Sequence, residues 1–493
     1  MVRFWALQNQ PGGLYPDEAA EGLSAQSLLT VPGYHPVFFN SDGGREALYA
    51  YIVAAVFKAF GSSVLTLRGT AAAVGVAGVI ATYFAVRRFG RGPALIAMAW
   101  TAGSLWMIAV SRDGFRNILT VLVGAAALAA LLRWGDRPSR WSAALAGIAV
   151  ALGFWTYQPL KLLPLLAILW LLWVRARDPE RFQALRATWA WAGLAFVVVM
   201  APMVYTAITD FSSYFGRAAF VSVFNSGSGS TDSYPVHIFR TLGMFLVTGD
   251  PNPRHDVSGL PLLGPVLVVP FLLGIWHCWR RRDDHGYALV LLGLPVFLIP
   301  PLIANEGAAP HFLRSLGLEP YAAACIGLGC LEGISIARKL ASGIPRSERS
   351  VTQTGWMVCA IAGTALGVAS AVTYLNRPVA DRYAAFTFAD VALANVAVNN
   401  ATDGGPSTLV ILNSYDAMDV QFLDAGRLPT IVAPMTRIQN ATVYSLIVAP
   451  SRADIAAAVG SGIAAAAQVG ATDPQGNPVV FDVVPQAGVP TPP

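Results

Sequence analysis

Two adjacent carboxylates near the start of the chain have the side chains that general base chemistry requires. Asp17 and Glu18 stand in the stretch Gly-Leu-Tyr-Pro-Asp-Glu-Ala, and the apolar segments that follow are nearly free of acids. A carboxylate can accept the proton of an attacking hydroxyl group. Asp is also a frequent helix N-cap, so Asp17 could instead cap a helix that begins near Ala19. Residue type alone leaves these two interpretations open.

Four cations form a second set: Arg112, Arg116, Lys161 and Arg314. One such cation at the end of an apolar segment can simply extend to the lipid headgroups. Four on one side of a membrane favour a pocket for an anionic headgroup. A lipid-linked phosphosugar fits both sets, because phosphate leaves without protonation and needs one base, not the acid and base pair of a glycosidase. Cations stabilise the charge that develops on the departing phosphate.

The sequence predicts neither a metal nor a cofactor. The candidate ligands nearest to Asp17 are His35, Asp42 and Glu46, which lack ligand spacing. No Gly-rich phosphate loop, His-Glu-x-x-His or Gly-x-Ser-x-Gly motif occurs. The four cysteines lie in or beside apolar segments without zinc spacing, as small core residues do: Cys278, Cys325, Cys330 and Cys359.

The elements that must position these groups cross a membrane. The 493 residues are 55% hydrophobic and 12% charged, whereas soluble domains carry about a quarter charged residues. The composition therefore predicts a polytopic membrane protein. Ten apolar runs approach the length of a membrane span, at about 64–86, 94–110, 117–133, 141–157, 160–174, 188–208, 260–279, 286–303, 314–334 and 355–375.

Basic residues fall in every second loop, which predicts that those loops are cytoplasmic. The same pattern accounts for the net charge of +5 and argues against nucleic-acid binding. Asp17, the four cations, a long 209–259 loop and everything after about residue 376 then lie outside. The cytoplasmic set is Arg87, Arg88 and Arg91; Arg133, Arg137 and Arg140; Arg175, Arg177, Arg181 and Arg186; Arg280, Arg281 and Arg282; Arg338, Lys339, Arg346 and Arg349.

Two shorter segments are predicted to lie in the outer interface. Residues 47–60 are one, because a span there would exchange the sides of all later loops. The 209–259 loop holds the other, around Val236–Val247, beside a flexible Ser226–Ser230 tip. An outside Asp17 also requires a span before it, so we expect residues 1–10 to be the stub of a first helix and the start site to be placed too far downstream.

The last part of the chain changes character. Residues 376–493 regain charges and contain the alternating runs Thr408–Asn413 and Tyr444–Ala449 after an alanine-rich stretch at 382–398. These patterns predict a small extracytoplasmic α/β domain with a Pro-rich tail. The domain prediction is therefore an all-α membrane domain over 1–375, with an outer catalytic loop and interfacial helix at 1–62, followed by this domain.

These segments resemble the GT-C membrane glycosyltransferases, in particular bacterial relatives of the protein O-mannosyltransferases and the lipid A aminoarabinose transferases. The resemblance covers most of the membrane region and depends on the order of several short motifs. They are Pro-Gly-Gly-Leu-Tyr-Pro-Asp17-Glu18-Ala, Gly44-Arg45-Glu46-Ala-Leu-Tyr, Phe60-Gly61 with Leu67-Arg68, Ser111-Arg112-x-Gly114-Phe115-Arg116, Tyr157 and Lys161 before Leu-Leu-Pro164, Gly249-Asp250-Pro-Asn252-Pro-Arg254-His255 with Gly259-Leu-Pro261, and Pro310-His311-x-x-Arg314-Ser.

The resemblance implies a layout and a set of roles. A helix before the Asp-Glu loop brings the spans to about eleven. Asp17 takes the place of the catalytic base, Glu18 is its neighbour in the motif, and Arg314 takes the place of the arginine that binds the lipid phosphate. Many relatives have a second acidic motif where this chain has Asp113 between arginines. The further candidate substrate-binding residues are Arg45, Glu46, Asp113, Tyr157, Asn252, Arg254, His255 and His311.

The sequence therefore predicts transfer of a hexose or aminopentose from a polyprenyl-phosphate donor to an acceptor hydroxyl at the outer face of the cell membrane, with inversion. The acceptor is a lipid, a protein or a wall polymer. A transporter or flippase of lipid-linked sugars is the alternative; its candidate intramembrane acids are Glu319 and Glu332. A structural or sensory membrane protein is a third possibility, but it leaves the polar loop motifs without a role. Sugar transfer requires the early acids and the cations to face one outer cavity.

Overall fold

The computed structural model describes residues 2–8, 10–40, 44–211, 214, 233–257, 259–304, 309–341, 347–377, 408–415, 417–423, 430–432, 446–449, 467–472 and 478–485. Their contacts divide the chain into two compact units. The first unit comprises Met1–Phe4, Pro36–Tyr49 and Ala71–Asn376. The second comprises Trp5–His35, Ala50–Thr70 and Arg377–Pro493.

Long apolar sequences rich in Leu, Ala and Val form most of the chain, and they fold as helices because every backbone polar group is then paired within its own segment. The described helices are α1 Pro16–Thr30, α2 Leu48–Phe60, α3 Val64–Val86, α4 Arg91–Gly103, α5 Leu105–Val110, α6 Leu119–Asp136, α7 Arg140–Leu152, α8 Leu163–Arg177, α9 Pro179–Arg186, α10 Trp189–Thr209, α11 Tyr234–Gly243, α12 Gly264–Arg280, α13 His285–Ile303, α14 Glu319–Leu340, α15 Ser347–Leu375 and α16 Ala417–Leu423.

Every one of the ten predicted spans contains helix in the structure. Seven helices of the described chain are long and apolar enough to cross a membrane: Val64–Phe89, Arg116–Asp136, Gln158–Arg177, Trp189–Thr209, His285–Ile303, Leu316–Leu340 and Ser350–Leu375. The runs at 94–110, 141–157 and 260–279 form shorter helices, of which α4 and α7 have 13 residues and α12 has 17. At 1.5 Å per residue, 13 residues reach about 20 Å, less than the hydrocarbon core of about 30 Å. The count of ten or eleven spans stays a prediction.

The predicted span at 94–110 is interrupted at Ser104. This residue has extended backbone angles, φ −67° and ψ 140°, and its hydroxyl accepts the Met107 N–H as the N-cap of α5. A serine can pair the orphan N–H groups at a helix start in this way. The interruption ends α4 at Gly103 and turns the chain before the Ser111–Arg116 segment.

In the first unit, α12 and α14 pack with their backbones in close approach. A Cβ atom at Gly329 of α14 would overlap the Pro270 carbonyl oxygen of α12, and one at Gly274 of α12 would overlap the Cys325 carbonyl oxygen of α14. Small residues allow this close packing of membrane helices. Each loop that adjoins this pair, at 244–263 and at 304–318, is thereby anchored at one end.

A short hairpin of the first unit precedes α2. Strand β1, Phe38–Phe39, pairs antiparallel with β2, Arg45–Glu46, in the register Phe38 with Glu46 and Phe39 with Arg45. Phe38 packs in a core cluster with Met203 and Tyr214. Successive strand residues point to opposite faces, so the side chains of Arg45 and Glu46 lie on opposite sides of the hairpin.

In the second unit, the segment predicted as an Asp-Glu loop is the first turn of a helix. Helix α1 begins at Pro16 with Tyr15 as N-cap, so Asp17 is not the cap of a helix that starts near Ala19. Proline is well suited to the first helical position, because its fixed φ angle matches the helix and its missing N–H would be unpaired there. The helix predicted at 47–60 is present as α2, which spans 48–60. Its place in the membrane interface stays a prediction.

The C-terminal residues of the second unit contain a five-stranded sheet in the order β4-β3-β5-β7-β6. Strands β3 and β5 coincide with the alternating runs predicted at 408–413 and 444–449, and they pair in parallel. The strands are β3 Thr408–Ile411, β4 Thr430–Val432, β5 Leu446–Ala449, β6 Ala467–Thr472 and β7 Pro478–Pro485.

The structure groups residues differently from the predicted domains in one respect. The first unit ends at Asn376, next to the predicted boundary at 375, but residues 5–35 and 50–70 group with the C-terminal residues. The predicted helical stretch at 382–398 and the tip at 226–230 lie outside the described residues. The interfacial helix predicted around Val236–Val247 has its counterpart in α11, Tyr234–Gly243.

Candidate functional site

Two aromatic rings hold three arginines in the first unit. Phe115 and Tyr157 meet edge to face with their centroids 6.0 Å apart. The Arg116 guanidinium lies over both rings, at 4.7 Å from Phe115 and 5.6 Å from Tyr157. Arg254 lies 5.5 Å from the Phe115 ring and Arg314 lies 5.4 Å from the Tyr157 ring. Guanidinium groups favour the faces of such rings.

Glu46 supplies negative charge to this region. Its carboxylate lies 2.9 Å from Lys161 Nζ and 3.3 Å from Arg116 Nε, and its side chain is 3% exposed. Burial alone raises the pKa of Glu46, but the charges of Lys161 and Arg116 outweigh it and lower the pKa. The Lys161 ammonium also lies 4.9 Å from the centroid of the Tyr214 ring. We call Arg116, Lys161, Arg254 and Arg314, with Glu46, Phe115 and Tyr157, the cation cluster.

Asp113 and the loop that begins at Asp250 orient Arg254. Asp113 Oδ2 lies 3.9 Å from Arg254 Nε. On the other side, Arg254 Nη2 lies 3.1 Å from His255 Nε2, and His255 Nδ1 lies 2.8 Å from Asp250 Oδ2. The Asn252 side-chain oxygen Oδ1 accepts a hydrogen bond from the backbone N–H of Arg254 at 3.0 Å. The predicted residues Asp113, Asn252, Arg254 and His255 are therefore brought together.

Asp250 joins two loops. Its carboxylate accepts the Asn252 N–H at 2.8 Å and the Phe312 N–H at 2.7 Å. Burial raises the pKa of Asp250 to about 6, against the effect of the nearby positive groups. Burial and the neighbouring His255 hold the pKa of His311 well below its usual value. The His255 and His311 ring centroids are 4.9 Å apart.

Arg112 and Arg45, two further predicted residues, occupy buried positions of the first unit. Arg112 donates to the Val2 carbonyl oxygen and lies 5.2 Å from the centroid of the Tyr374 ring. Arg45 is 2% exposed on strand β2. The contacts of Arg112 with the chain start and with α15 indicate a role in holding these segments.

In the second unit, Glu18 is engaged in a buried ion pair. Arg68 Nε lies 2.9 Å from Glu18 Oε1 and Arg68 Nη2 lies 2.8 Å from Oε2, and both side chains are fully buried. The same guanidinium donates to the carbonyl oxygens of Leu7, Gly12 and Gly13. Glu18 Oε2 also accepts the Tyr15 N–H at 3.2 Å. This carboxylate therefore holds the start of α1 in place.

Asp17, at the second position of α1, is placed differently. It is 8% exposed, and its Oδ1 accepts a hydrogen bond from the Tyr415 hydroxyl at 3.2 Å. The positive end of the helix dipole stabilises an ionised carboxylate there. Tyr415 also meets Tyr15 edge to face, with centroids 6.4 Å apart. The predicted convergence of Asp17 with the cations stays a prediction.

Sequence reasoning did not give Asp250, Phe115, Arg68 or Tyr415 a role. Three of them stand in the quoted motifs, at Gly249-Asp250, Gly114-Phe115 and Leu67-Arg68. The composition of the Asp-Pro-Asn-Pro-Arg-His run, with two acceptors before a cation and an imidazole, was a usable signal for Asp250. Tyr415 lies far from any such motif.

An apolar cavity of about 500 Å³ lies among helices of the first unit. Helices α4, α12, α14 and α15 line it, with Trp100, Leu263, Ile326 and Leu366 among the contributing residues. Residues 260–265 of its wall follow directly, along the chain, the loop that carries Arg254. Apolar walls of this kind suit a hydrocarbon chain.

The fold and part of the sequence match known glycosyltransferases. Residues 46–205 match the family model described as dolichyl-phosphate-mannose-protein mannosyltransferase. ArnT from Cupriavidus metallidurans, solved bound to undecaprenyl phosphate, superposes with a TM-score of 0.65 at 14% identity, over 100% of this chain and 97% of that one. Its apo structure gives a TM-score of 0.64 at 12% identity, over 98% and 95% of the two chains.

A third match is the archaeal oligosaccharyltransferase AglB from Archaeoglobus fulgidus, in complex with an inhibitory peptide and a dolichol-phosphate. It has a TM-score of 0.53 at 13% identity, over 97% of this chain and 71% of that one. No curated protein matches the chain by sequence. The chain is a multi-pass membrane protein that shares the GT-C fold of ArnT and AglB, and its residues 46–205 are similar to the protein mannosyltransferase family.

Proposed function

We propose that this protein transfers a sugar from a polyprenyl-phosphate donor to an acceptor hydroxyl at the outer face of the membrane, with inversion. The observation that carries the proposal is the convergence of Arg116, Arg254 and Arg314 on the Phe115 and Tyr157 rings. Guanidinium groups are suited to phosphate recognition because they present several N–H donors in a fixed plane. The related structures with bound undecaprenyl phosphate and dolichol-phosphate support the same class of donor.

In this proposal the cation cluster binds the donor phosphate and stabilises the charge that develops when the glycosidic bond breaks. The attacking hydroxyl oxygen forms the new bond to the anomeric carbon, and the polyprenyl phosphate leaves as an anion. The hydroxyl proton passes to a carboxylate base. Asp17 is the better candidate for this base, because Glu18 is held by Arg68 and by the Tyr15 N–H.

The apolar cavity supports the lipid part of the donor. A polyprenyl chain needs a hydrocarbon environment next to its phosphate, and the wall at 260–265 adjoins the Arg254 loop along the chain. Whether the sugar is a hexose or an aminopentose depends on groups that recognise its hydroxyl or amino substituents. The acceptor is a lipid, a protein or a wall polymer.

The transporter alternative is less favoured, because both of its candidate acids have partners within the helix bundle. Glu319 accepts hydrogen bonds from Thr101 and Thr82. Glu332 Oε2 lies 2.6 Å from His277 Nδ1. Hydrogen bonds within the bundle account for both buried acids, so neither of them requires an ion pathway.

The test is sugar transfer in membranes that contain radiolabelled polyprenyl-phosphate sugar. Asp17→Asn keeps the shape of the side chain and removes the base, so we expect transfer to fall by about 100-fold or more. Asp178→Asn is the control, since Asp178 caps the short helix α9 and asparagine caps equally well. An undiminished rate in Asp17→Asn would exclude this residue as the base, and labelled lipid that crosses the bilayer without being consumed would support the transporter.

Donor binding is tested separately with Arg314→Ala. Loss of a charged hydrogen-bond donor should weaken the donor Kd by about tenfold or more and leave acceptor binding nearly unchanged. Arg282→Ala is a matched control, because Arg282 also lies on an aromatic ring, 4.6 Å from the centroid of Trp279. Equal losses of donor and acceptor binding would instead indicate that Arg314 is structural.

A further inference from the structure

A short helix of the C-terminal residues packs against α1 within the second unit. The Phe422 ring of α16 occupies the place of a side chain at Gly22, because a Cβ atom on this glycine would overlap the ring. The same ring stacks on Phe57 of α2, with centroids 6.1 Å apart and an angle of 25° between the ring planes. Gln26 Nε2 of α1 lies 3.5 Å from the Phe422 carbonyl oxygen. A glycine at position 22 therefore leaves room for α16 against α1.

The turn that leads into α16 carries Tyr415. The Asn413 side-chain oxygen Oδ1 accepts a hydrogen bond from the backbone N–H of Tyr415 at 3.0 Å, and the Tyr415 carbonyl oxygen accepts one from the backbone N–H of Met418 at 3.2 Å. An asparagine side chain that binds the backbone two residues later fixes a turn. Strand β3, which precedes this turn, has buried side chains at 409–411. The backbone of the tyrosine is therefore fixed between a packed strand and a packed helix.

From this turn Tyr415 reaches the first turn of α1. Its hydroxyl donates to Asp17 Oδ1 at 3.2 Å, although the two residues are 398 positions apart in sequence. Its ring meets Tyr15 edge to face. The terminal torsion of an aspartate is soft, so a donor at one oxygen restricts the rotation of the carboxylate. We propose that Tyr415 is a positioning residue for the Asp17 carboxylate, and that α16 holds the tyrosine there by docking on α1.

This role rests on the proposed transfer reaction, in which Asp17 is the base. A base must meet the acceptor hydroxyl in a narrow range of orientations, and a hydroxyl donor also favours the ionised form of a carboxylate. Glu21 is buried one turn further along α1, and like charges four positions apart in a helix oppose each other. The other described acids on the two helices are Glu18, which Arg68 compensates, and Asp419, which is buried. The tyrosine therefore supplies both orientation and stabilisation of the charge.

Carbodiimide labelling of Asp17 tests the contact without any sugar transfer. The reagent couples to protonated carboxyl groups, so the pH at which labelling falls to half reports the protonation of this residue. The measurement uses peptide mass spectrometry on the full-length protein in detergent. Tyr415→Phe removes a donor to the ionised form, so we expect the half-labelling pH to rise by about 0.4–1 unit. An unchanged half-labelling pH would overturn the proposal.

Gly22→Ala tests the docking of α16. The added methyl group should displace the Phe422 ring, so this variant should raise the half-labelling pH of Asp17 as Tyr415→Phe does. Adding Phe422→Leu, which shortens the side chain that the methyl group meets, should reverse part of the shift. Gly69→Ala is the matched control, since a Cβ atom on this glycine of α3 has no neighbour within 4 Å. The same half-labelling pH in Gly22→Ala and Gly69→Ala would contradict a role of the docking.

Transfer measurements separate this role from the proposed function. Tyr415→Phe should lower kcat and move the acid limb of the pH–rate profile to higher pH, with the KM for the donor nearly unchanged. A wild type that transfers no sugar, together with the labelling shift, would refute the transfer reaction and support the contact. Transfer that requires Asp17 but has the same rate and acid limb in Tyr415→Phe would refute the positioning role alone. This variant removes a single oxygen atom, so it provides the test even where Gly22→Ala does not fold.

Discussion

Lys161 Nζ lies 2.9 Å from Glu46 Oε1, so an acid of the β1–β2 hairpin compensates a cation in the turn just before α8. The same carboxylate reaches Arg116 at 3.3 Å. A single buried acid therefore orients two of the four cations in the cluster. Its charge also makes the cluster sensitive to acid.

Replacing Glu46 should change how stability depends on pH. The pKa of Glu46 is lowered below its usual 4.5 in the folded protein, so the ionised carboxylate stabilises the fold above about pH 4.5 and this contribution is lost as the pH falls through the folded pKa. Thermal unfolding of the detergent-purified protein, compared with Glu46→Gln from about pH 7 to about pH 3.5, should show a gap in Tm that narrows at the acid end. A gap of constant size would contradict the assignment.

Breaking the Glu18–Arg68 pair should destabilise the second unit. Removing one partner of a buried ion pair leaves an uncompensated charge and costs about 3–5 kcal/mol. We expect Arg68→Leu to cost more than Glu18→Gln, because Arg68 also pairs the carbonyl oxygens of Leu7, Gly12 and Gly13. Unfolding of the two single variants and the double variant gives the coupling energy. Strictly additive losses would show that the pair does not act as a unit.

Two glycines on α14 should respond oppositely to alanine. At Gly329 a Cβ atom would overlap the Pro270 carbonyl oxygen, whereas at Gly333 its nearest neighbour is Leu273 Cδ1 at 3.9 Å. Gly329→Ala should therefore cost about 1–3 kcal/mol through forced separation of the helices. Gly333→Ala should be neutral or stabilise by up to about 1 kcal/mol. Similar melting temperatures for the two variants would argue against the close packing of α12 and α14.

Tyr415→Phe tests the environment of Asp17. The variant removes the hydroxyl that donates to Asp17 Oδ1 at 3.2 Å and leaves the ring in place against Tyr15. A neutral hydrogen bond contributes about 0.5–1.5 kcal/mol, so we expect transfer to slow by about two- to tenfold. Tyr34→Phe, on a tyrosine that is 39% exposed, is the control. Unchanged transfer by Tyr415→Phe would show that this contact does not orient the carboxylate.

Hydropathy located the helices because a helix that crosses a bilayer needs a long, uniformly apolar sequence. Helix α3, for example, has the same bounds, 64–86, as its predicted span. The same signal could not show the interruption at Ser104, since one hydroxyl group in an apolar run does not change the mean hydropathy. Hydropathy also could not show that Asp17 and Glu18 have different partners. The difference arises from Arg68, 50 residues later, whose partner is decided only when α3 packs in the fold.

The polar contacts show the same limit. Arg116, Lys161 and Arg314 were predicted as one set with Arg112 from residue type and side, whereas Arg254 was a candidate only through the resemblance. The pairing of Arg254 with Asp113 joins positions 141 apart in sequence, and that of Asp250 with the Phe312 N–H joins positions 62 apart. Such pairs follow from helix packing, which periodicity does not encode. Arg112 has the same residue type as Arg116, yet it contacts Val2 and Tyr374, whereas Arg116 contacts Phe115 and Tyr157.

The two-residue pairing of β1 with β2 gives the Arg45–Glu46 dipeptide a directional meaning. Phe39 opposes Arg45 and Phe38 opposes Glu46, and a shift of one position reverses which side chain faces which way. The charge that faces Lys161 therefore depends on the register of this hairpin as well as on the types of its residues.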